Sequence, residues 1–83
     1  MIMIYGKPGC TFCEQAKNLC ITRGYVYEYK TLDEDYTKEQ LLETFPGART
    51  VPQIVVNGLK VGGYNDFVKY IEDTGFTGTG HSL

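Results

Sequence analysis

Runs of basic residues are missing from this 83-residue chain: eight Lys and Arg stand against ten Asp and Glu, giving a net charge of −2 and a pI near 5.2. Without a positive stripe there is no electrostatic means of holding nucleic acid or an anionic membrane surface. Long apolar runs are missing too. The opening Met1-Ile2-Met3-Ile4-Tyr5 is far short of the roughly 20 residues of a membrane span. It also lacks the charged start and small-residue cleavage site of a signal peptide. Histidine occurs once, as His81, in a Gly- and Thr-rich terminal stretch that is expected to fray and to carry no catalytic role. Cysteine is scarce and odd in number, at three, which fits a reducing, cytoplasmic compartment better than a secreted disulfide framework. Internal repeats and linkers are absent. One domain is expected over residues 1–75, with residues 76–83 as a flexible tail and a monomer as the assembly.

What is present is concentrated in Lys7-Pro8-Gly9-Cys10-Thr11-Phe12-Cys13. Two cysteines stand three residues apart, after an apolar run that reads as a strand and before a segment that reads as a helix, the setting in which such a pair is redox-active. At the start of a helix Cys10 meets unpaired backbone N–H groups and the positive end of the helix dipole, both of which favour the reactive thiolate. Lys7 adds a positive charge that acts in the same direction. Cys13, one turn further on, is positioned to attack a mixed disulfide formed on Cys10. A zinc clip and a structural bridge are the competing uses. Zinc usually takes four ligands, and the remaining candidates are Cys20 and His81, the latter at the opposite end of the chain. Closing so short a loop removes little chain entropy, which counts against a structural bridge.

The strand at Met1–Tyr5 is followed by a helix over Thr11–Arg23, with Ala16, Leu19, Cys20 and Ile21 approximating its inner face and Gly24 as its stop. Cys20 lies roughly 10 Å along the helix from Cys13, too far for a disulfide, and reads as a small buried hydrophobe. Tyr25–Leu32 alternates as a second strand, with Tyr25, Tyr27 and Tyr29 on one face. Asp33-Glu34-Asp35 reads as a solvated turn. Thr37-Lys38-Glu39-Gln40 is a capping box opening a short helix with Leu41, Leu42 and Phe45 inward. Thr50–Val56 is β-branched and apolar, with Pro52 tolerated only at its start. Asn57-Gly58 marks a two-residue hairpin into Lys60-Val61. Asn65 or Asp66 is the expected cap of a third helix whose inner stripe is Phe67, Tyr70 and Ile71 and which ends near Gly75. The order β-α-β-α-β-β-α implies an α/β fold, a four-stranded mixed sheet with a right-handed parallel crossover and helices on both faces.

Cys10-Thr11-Phe12-Cys13, Thr50-Val51-Pro52 and Gly62-Gly63-Tyr64-Asn65-Asp66, in this order and spacing, resemble the dithiol glutaredoxins of the thioredoxin superfamily, over Met1 to about Asp73. The resemblance implies a thioredoxin-like fold and a cis Val51-Pro52 peptide beside the cysteines. It further implies glutathione as co-substrate. The glycine carboxylate would lie near Lys7 and Arg49, the cysteinyl backbone against Val51 and Pro52, and the γ-glutamyl end at Gly63, Tyr64, Asn65 and Asp66. Free N–H groups at the start of the third helix and the Lys7 charge suit two carboxylates on physical grounds as well. Phe12 would be an exposed aromatic packing against substrate. Dithiol members commonly carry Pro-Tyr between the cysteines. Here Thr11-Phe12 takes that place, so the potential of this pair is its own.

The activity implied is glutathione-dependent thiol–disulfide exchange. Cys10 attacks a disulfide or glutathionylated protein, and the adduct is resolved by a second glutathione or by Cys13. Ribonucleotide reductase is an expected partner by analogy alone, and no metal is expected. Two alternatives share the residues: an electron donor to ribonucleotide reductase driven by thioredoxin reductase, and a dimer holding an iron–sulfur cluster through Cys10 and glutathione.

Overall fold

Ile2–Gly6 forms the first strand, β1, and its alternation sets the layout. Ile2 and Ile4 are buried on one face and Met3 and Tyr5 half-buried on the other, so both faces need cover. The computed structural model describes residues 1–76; of the tail expected over residues 76–83, all beyond Phe76, with His81, lies outside the described residues. After β1 come α1 (Thr11–Arg23), β2 (Tyr27–Thr31), α2 (Lys38–Thr44), β3 (Gln53–Val56), β4 (Leu59–Gly62) and α3 (Tyr64–Thr74). The strands lie in the order β2-β1-β3-β4. β2 runs parallel to β1 with Tyr29 opposite Ile4, while β3 is antiparallel to β1 with Ile54 opposite Ile4. β4 closes the sheet as the hairpin partner of β3. Asn57 and Gly58 take φ of 50° and 85°, the two positive values that a two-residue hairpin turn of this hand requires.

The α/β architecture is the one expected, with a core on each face of the sheet. On one face Ile2, Ile4, Ile54 and Val56 pack with Ala16 and Cys20 of α1 and Phe67 and Ile71 of α3. Each large side chain fully buried there contributes about 1.5–3 kcal/mol of transfer free energy. On the other face Tyr36, Leu41 and Phe45 pack with Tyr5, Val51 and Val55. The Thr37–Gln40 capping box of α2 forms with both of its hydrogen bonds.

Several local expectations are corrected. The inner stripe of α1 is Cys13, Ala16 and Cys20, at steps of three and four, and these small side chains let the helix lie close to the sheet. Ile21 falls off that stripe and is 56% exposed, and Leu42 likewise points outward. Tyr25 is buried but precedes β2. Phe76, assigned to the tail from sequence, stacks edge-on against Tyr25 with centroids 5.1 Å apart, and its carbonyl accepts a 3.0 Å hydrogen bond from the Tyr25 hydroxyl. The acidic turn is exposed as expected, and in addition the Asp35 carboxylate accepts the Thr31 N–H at 2.8 Å. Tyr36, unremarked in the sequence, is buried and donates its hydroxyl to the Gly6 carbonyl at 2.6 Å, bracing the end of β1 where the cysteine loop begins.

Candidate redox site

Cys10 is the N-cap of α1, with an extended backbone (φ −93°, ψ 112°), and its sulfur accepts the Cys13 backbone N–H at 3.2 Å. The first amides of a helix have no carbonyl partner within it, so this sulfur takes the place a capping oxygen usually fills. A thiolate there gains from both the N–H and the helix dipole. Cys10 and Cys13 form a disulfide with Cα atoms 5.2 Å apart. Their surroundings differ: Cys10 sits at the surface edge, 8% exposed, and Cys13 is fully buried. The Cys10 sulfur is 3.7 Å from the Val51 carbonyl oxygen. In the disulfide that is a contact only, because the sulfur has no hydrogen; as a thiol, Cys10 has one to donate. Cys20 is the free cysteine, fully buried two turns further along α1, where burial pushes its thiol pKa up to about 11. It is a packing residue, since the reactive form of a cysteine is the thiolate.

Two cavities flank the pair and share Thr50 and Val51. One, of about 320 Å³, is lined by Phe12, Thr50, Val51, Pro52, Gly63, Tyr64, Asn65 and Asp66. The other, of about 240 Å³, has Lys7 and Arg49 in its wall together with Lys38, Leu41 and Leu42. The fold thus gathers Phe12, Val51, Pro52, Gly63, Tyr64, Asn65 and Asp66 into one cleft beside Cys10, and sets Lys7 and Arg49 around the corner of Val51. Thr50 borders both cavities. Its place next to Val51 and Pro52 was the one sequence signal for it. The Val51–Pro52 peptide is cis. Phe12 is 54% exposed and lies stacked toward Tyr64, with centroids 6.1 Å apart and planes 30° apart.

The far wall of the cleft is the entry to α3, and here the expected cap is corrected. Gly63 is the N-cap; Asp66 is the third helical residue, and its carboxylate accepts the Gly63 N–H at 3.1 Å. That amide is therefore used within the protein, leaving the N–H groups of Tyr64, Asn65 and Asp66 as the free donors of the first turn. Gly62 has φ of 120°, and a Cβ added there would stand 2.6 Å from an Asp66 carboxylate oxygen, so only glycine allows the chain to pass from β4 into α3 on this path.

Among the described residues no group of three or more His, Cys, Asp or Glu side chains gathers where a metal ion could be held. No helix among them is long and apolar enough to cross a membrane.

A Cys-x-x-Cys pair opening the first helix of a four-stranded mixed sheet, beside a cis-proline loop, defines the thioredoxin-like class of thiol–disulfide oxidoreductases. Within that class the glutaredoxin family model matches residues 2–61, and the chain belongs to the glutaredoxin family. It is 38% identical over 73 residues to a glutaredoxin of Haemophilus influenzae, covering 80% of this chain and 84% of that one. It is 33% identical over 78 residues to glutaredoxin 1 of Escherichia coli, covering 86% and 92%. A hybrid peroxiredoxin of Haemophilus influenzae is 39% identical over 69 residues, 83% of this chain, but the chain spans 28% of that protein's length. Among solved structures, reduced Escherichia coli glutaredoxin superposes with a TM-score of 0.77 at 32% identity, covering 88% of this chain and 94% of that one. A buckwheat glutaredoxin–glutathione complex superposes with a TM-score of 0.75 at 26% identity, covering 87% and 68%.

Proposed function

We propose that this chain is a glutathione-dependent oxidoreductase that reduces glutathione mixed disulfides and protein disulfides. The observation that carries the reading is the placement of Cys10: its sulfur sits on a helix N-terminus and touches Val51, one of two residues shared by both flanking cavities. Cys10 as thiolate attacks the sulfur of a glutathionylated substrate, expels the substrate thiolate and keeps the glutathionyl group as a mixed disulfide. A second glutathione thiolate then attacks the bound glutathionyl sulfur, releasing glutathione disulfide and the Cys10 thiolate. Alternatively Cys13 attacks the Cys10 sulfur, expelling glutathione and closing the Cys10–Cys13 disulfide, which two further glutathione molecules reopen. Glutathione binding is supported by the glutathione complex of the buckwheat relative. In this chain its γ-glutamyl carboxylate would meet the Tyr64 and Asn65 amides at the start of α3, its cysteinyl backbone Val51, and its glycine carboxylate Lys7 and Arg49.

The test is turnover of a small glutathione mixed disulfide with NADPH, driven either by glutathione with glutathione reductase or by thioredoxin reductase alone. Turnover with the first couple only is expected. Cys10→Ser abolishes it, while Cys13→Ser retains it and loses reduction of a protein disulfide. Turnover with thioredoxin reductase alone, or a Cys10→Ser variant near wild type, overturns the proposal.

A further inference from the structure

Directly beneath Cys13 lies a polar group that the exchange chemistry above does not use. The Tyr29 hydroxyl is the one buried side-chain oxygen or nitrogen among the described residues with no hydrogen-bond partner. Tyr29 is in β2, on the same face as Ile2 and Ile4, and packs against that core. A Cβ built on Gly6 would stand 2.7 Å from Tyr29 Cζ and 3.1 Å from Cys13 Cβ, so the ring end and the buried cysteine crowd the same small space. The carbonyl of the adjoining Gly6 is already committed: it takes the Leu32 N–H at 2.9 Å and the Tyr36 hydroxyl at 2.6 Å, one for each lone pair. Burial and the Glu14 carboxylate push the Tyr29 pKa up, which keeps the hydroxyl a donor. The Lys17 ammonium lies 5.5 Å from the ring centroid and pairs with Glu14 at 3.4 Å, closing the outer side.

We propose that Tyr29 sets the reduction potential of the pair: when the disulfide opens, its hydroxyl donates a hydrogen bond to the Cys13 sulfur. In the disulfide form the hydroxyl is buried and unsatisfied, a state that costs free energy. In the disulfide the Cys13 sulfur is held on Cys10 and takes no bond from the hydroxyl; in the dithiol form it is free to turn, gains electron density as an acceptor and, being fully buried, has no water to solvate it. The bond therefore exists in one redox state only and favours it. The reaction it biases is ordinary dithiol–disulfide exchange. The Cys10–Cys13 S–S bond breaks, two electrons and two protons pass to the two sulfurs, and an external dithiol closes to its own disulfide.

Tyr29→Phe removes the hydroxyl and little else. The Cys10–Cys13 equilibrium is measured in dithiothreitol redox buffers by thiol trapping, so the result is independent of whether the cleft holds glutathione. The expected result is a shift of about tenfold toward the disulfide, a potential about 30 mV more negative. Melting supplies the second readout: the reduced form of the variant loses stability relative to the parent and the oxidised form does not. A shift under about threefold, a shift in the other direction, or equal losses of stability in the two redox states would each overturn the proposal.

Discussion

Two glycines stand side by side at the entry to α3, and the geometry assigns them very different weights. Gly62 closes β4 opposite Ile54 at φ of 120°, and an alanine Cβ there would meet Asp66 Oδ2 at 2.6 Å, Cγ at 3.1 Å and Cβ at 3.2 Å. Gly62→Ala therefore combines a backbone region that costs about 1–3 kcal/mol for a residue with a Cβ with displacement of the carboxylate that caps α3, worth about 1 kcal/mol. The sum, about 2–4 kcal/mol, is a large part of the roughly 4–12 kcal/mol expected of a domain this size. It corresponds to a fall in melting temperature of about 10–25 °C. Gly63 has φ of −82° and ψ of −169°, and the nearest atom to its added Cβ is the Pro52 carbonyl oxygen at 3.8 Å. Gly63→Ala therefore costs about 0.5 kcal/mol, the ordinary preference for glycine over alanine at an N-cap. Urea unfolding of the two variants measures the contrast, and Asp66→Ala completes a cycle. Because Gly62→Ala already dislodges Asp66, the Gly62→Ala/Asp66→Ala double variant should be no less stable than Gly62→Ala alone. Equal costs at the two glycines, or additive costs in the cycle, would refute the account.

Two further outcomes follow from the site and its neighbourhood. Burial raises the Cys20 pKa from 9.0 to about 11, so the folded chain holds this proton more tightly than the unfolded chain. The stability this contributes is complete below pH 9 and is lost between pH 9 and 11, at about 1.4 kcal/mol per pH unit. Urea midpoints of the parent should fall more steeply from pH 9 to 10 than those of Cys20→Ala, and parallel slopes would remove Cys20 from the explanation. Lys7→Ala and Arg49→Ala should each raise KM for glutathione about threefold, with kcat unchanged for Arg49→Ala, an effect that shrinks in high salt; an unmoved KM in both variants would place both residues outside the glutathione site.

The fold was legible because its signals are local. The apolar run of Met1–Tyr5, the Thr37–Gln40 box and the positive φ demanded at Asn57-Gly58 each act within a few residues, and the strand, the cap and the turn appear within one residue of where the sequence puts them. What was misread depends on the third dimension. Ile21 adjoins Cys20 in sequence, but the sheet selects the narrow stripe of Cys13, Ala16 and Cys20, and a stripe of such small side chains carries little hydropathy signal. Tyr36 follows three acidic residues and looks like part of a polar turn, yet it reaches back 30 residues to the Gly6 carbonyl. The cap of α3 was placed two or three residues late because Asp66 acts from inside the helix on an amide behind it. The cysteines and the cleft residues were readable as motifs. The division of Lys7 and Arg49 into a second cavity was not, since it depends on how Val51 stands between the two.

The division of labour proposed for the cysteines rests on packing. Both belong to one turn of one helix, so their chemical identity and sequence context are nearly the same. Their environments differ because α1 turns one edge to the cleft and the other to the sheet. Cys10 is the cap, with a backbone amide on its sulfur and a cavity wall within 4 Å. Cys13 is on the stripe and fully buried, near Gly6 and the end of the Tyr29 ring. In the proposed exchange an incoming disulfide meets the first, and the second attacks the sulfur already attached to its neighbour. A change that exposed Cys13 without touching either cysteine, such as removing the Tyr29 ring, would erode this order by letting external thiols reach the resolving sulfur directly. Tyr29→Ala should therefore make Cys13 open to alkylation in the reduced protein, which Tyr29→Phe, with the ring retained, should not.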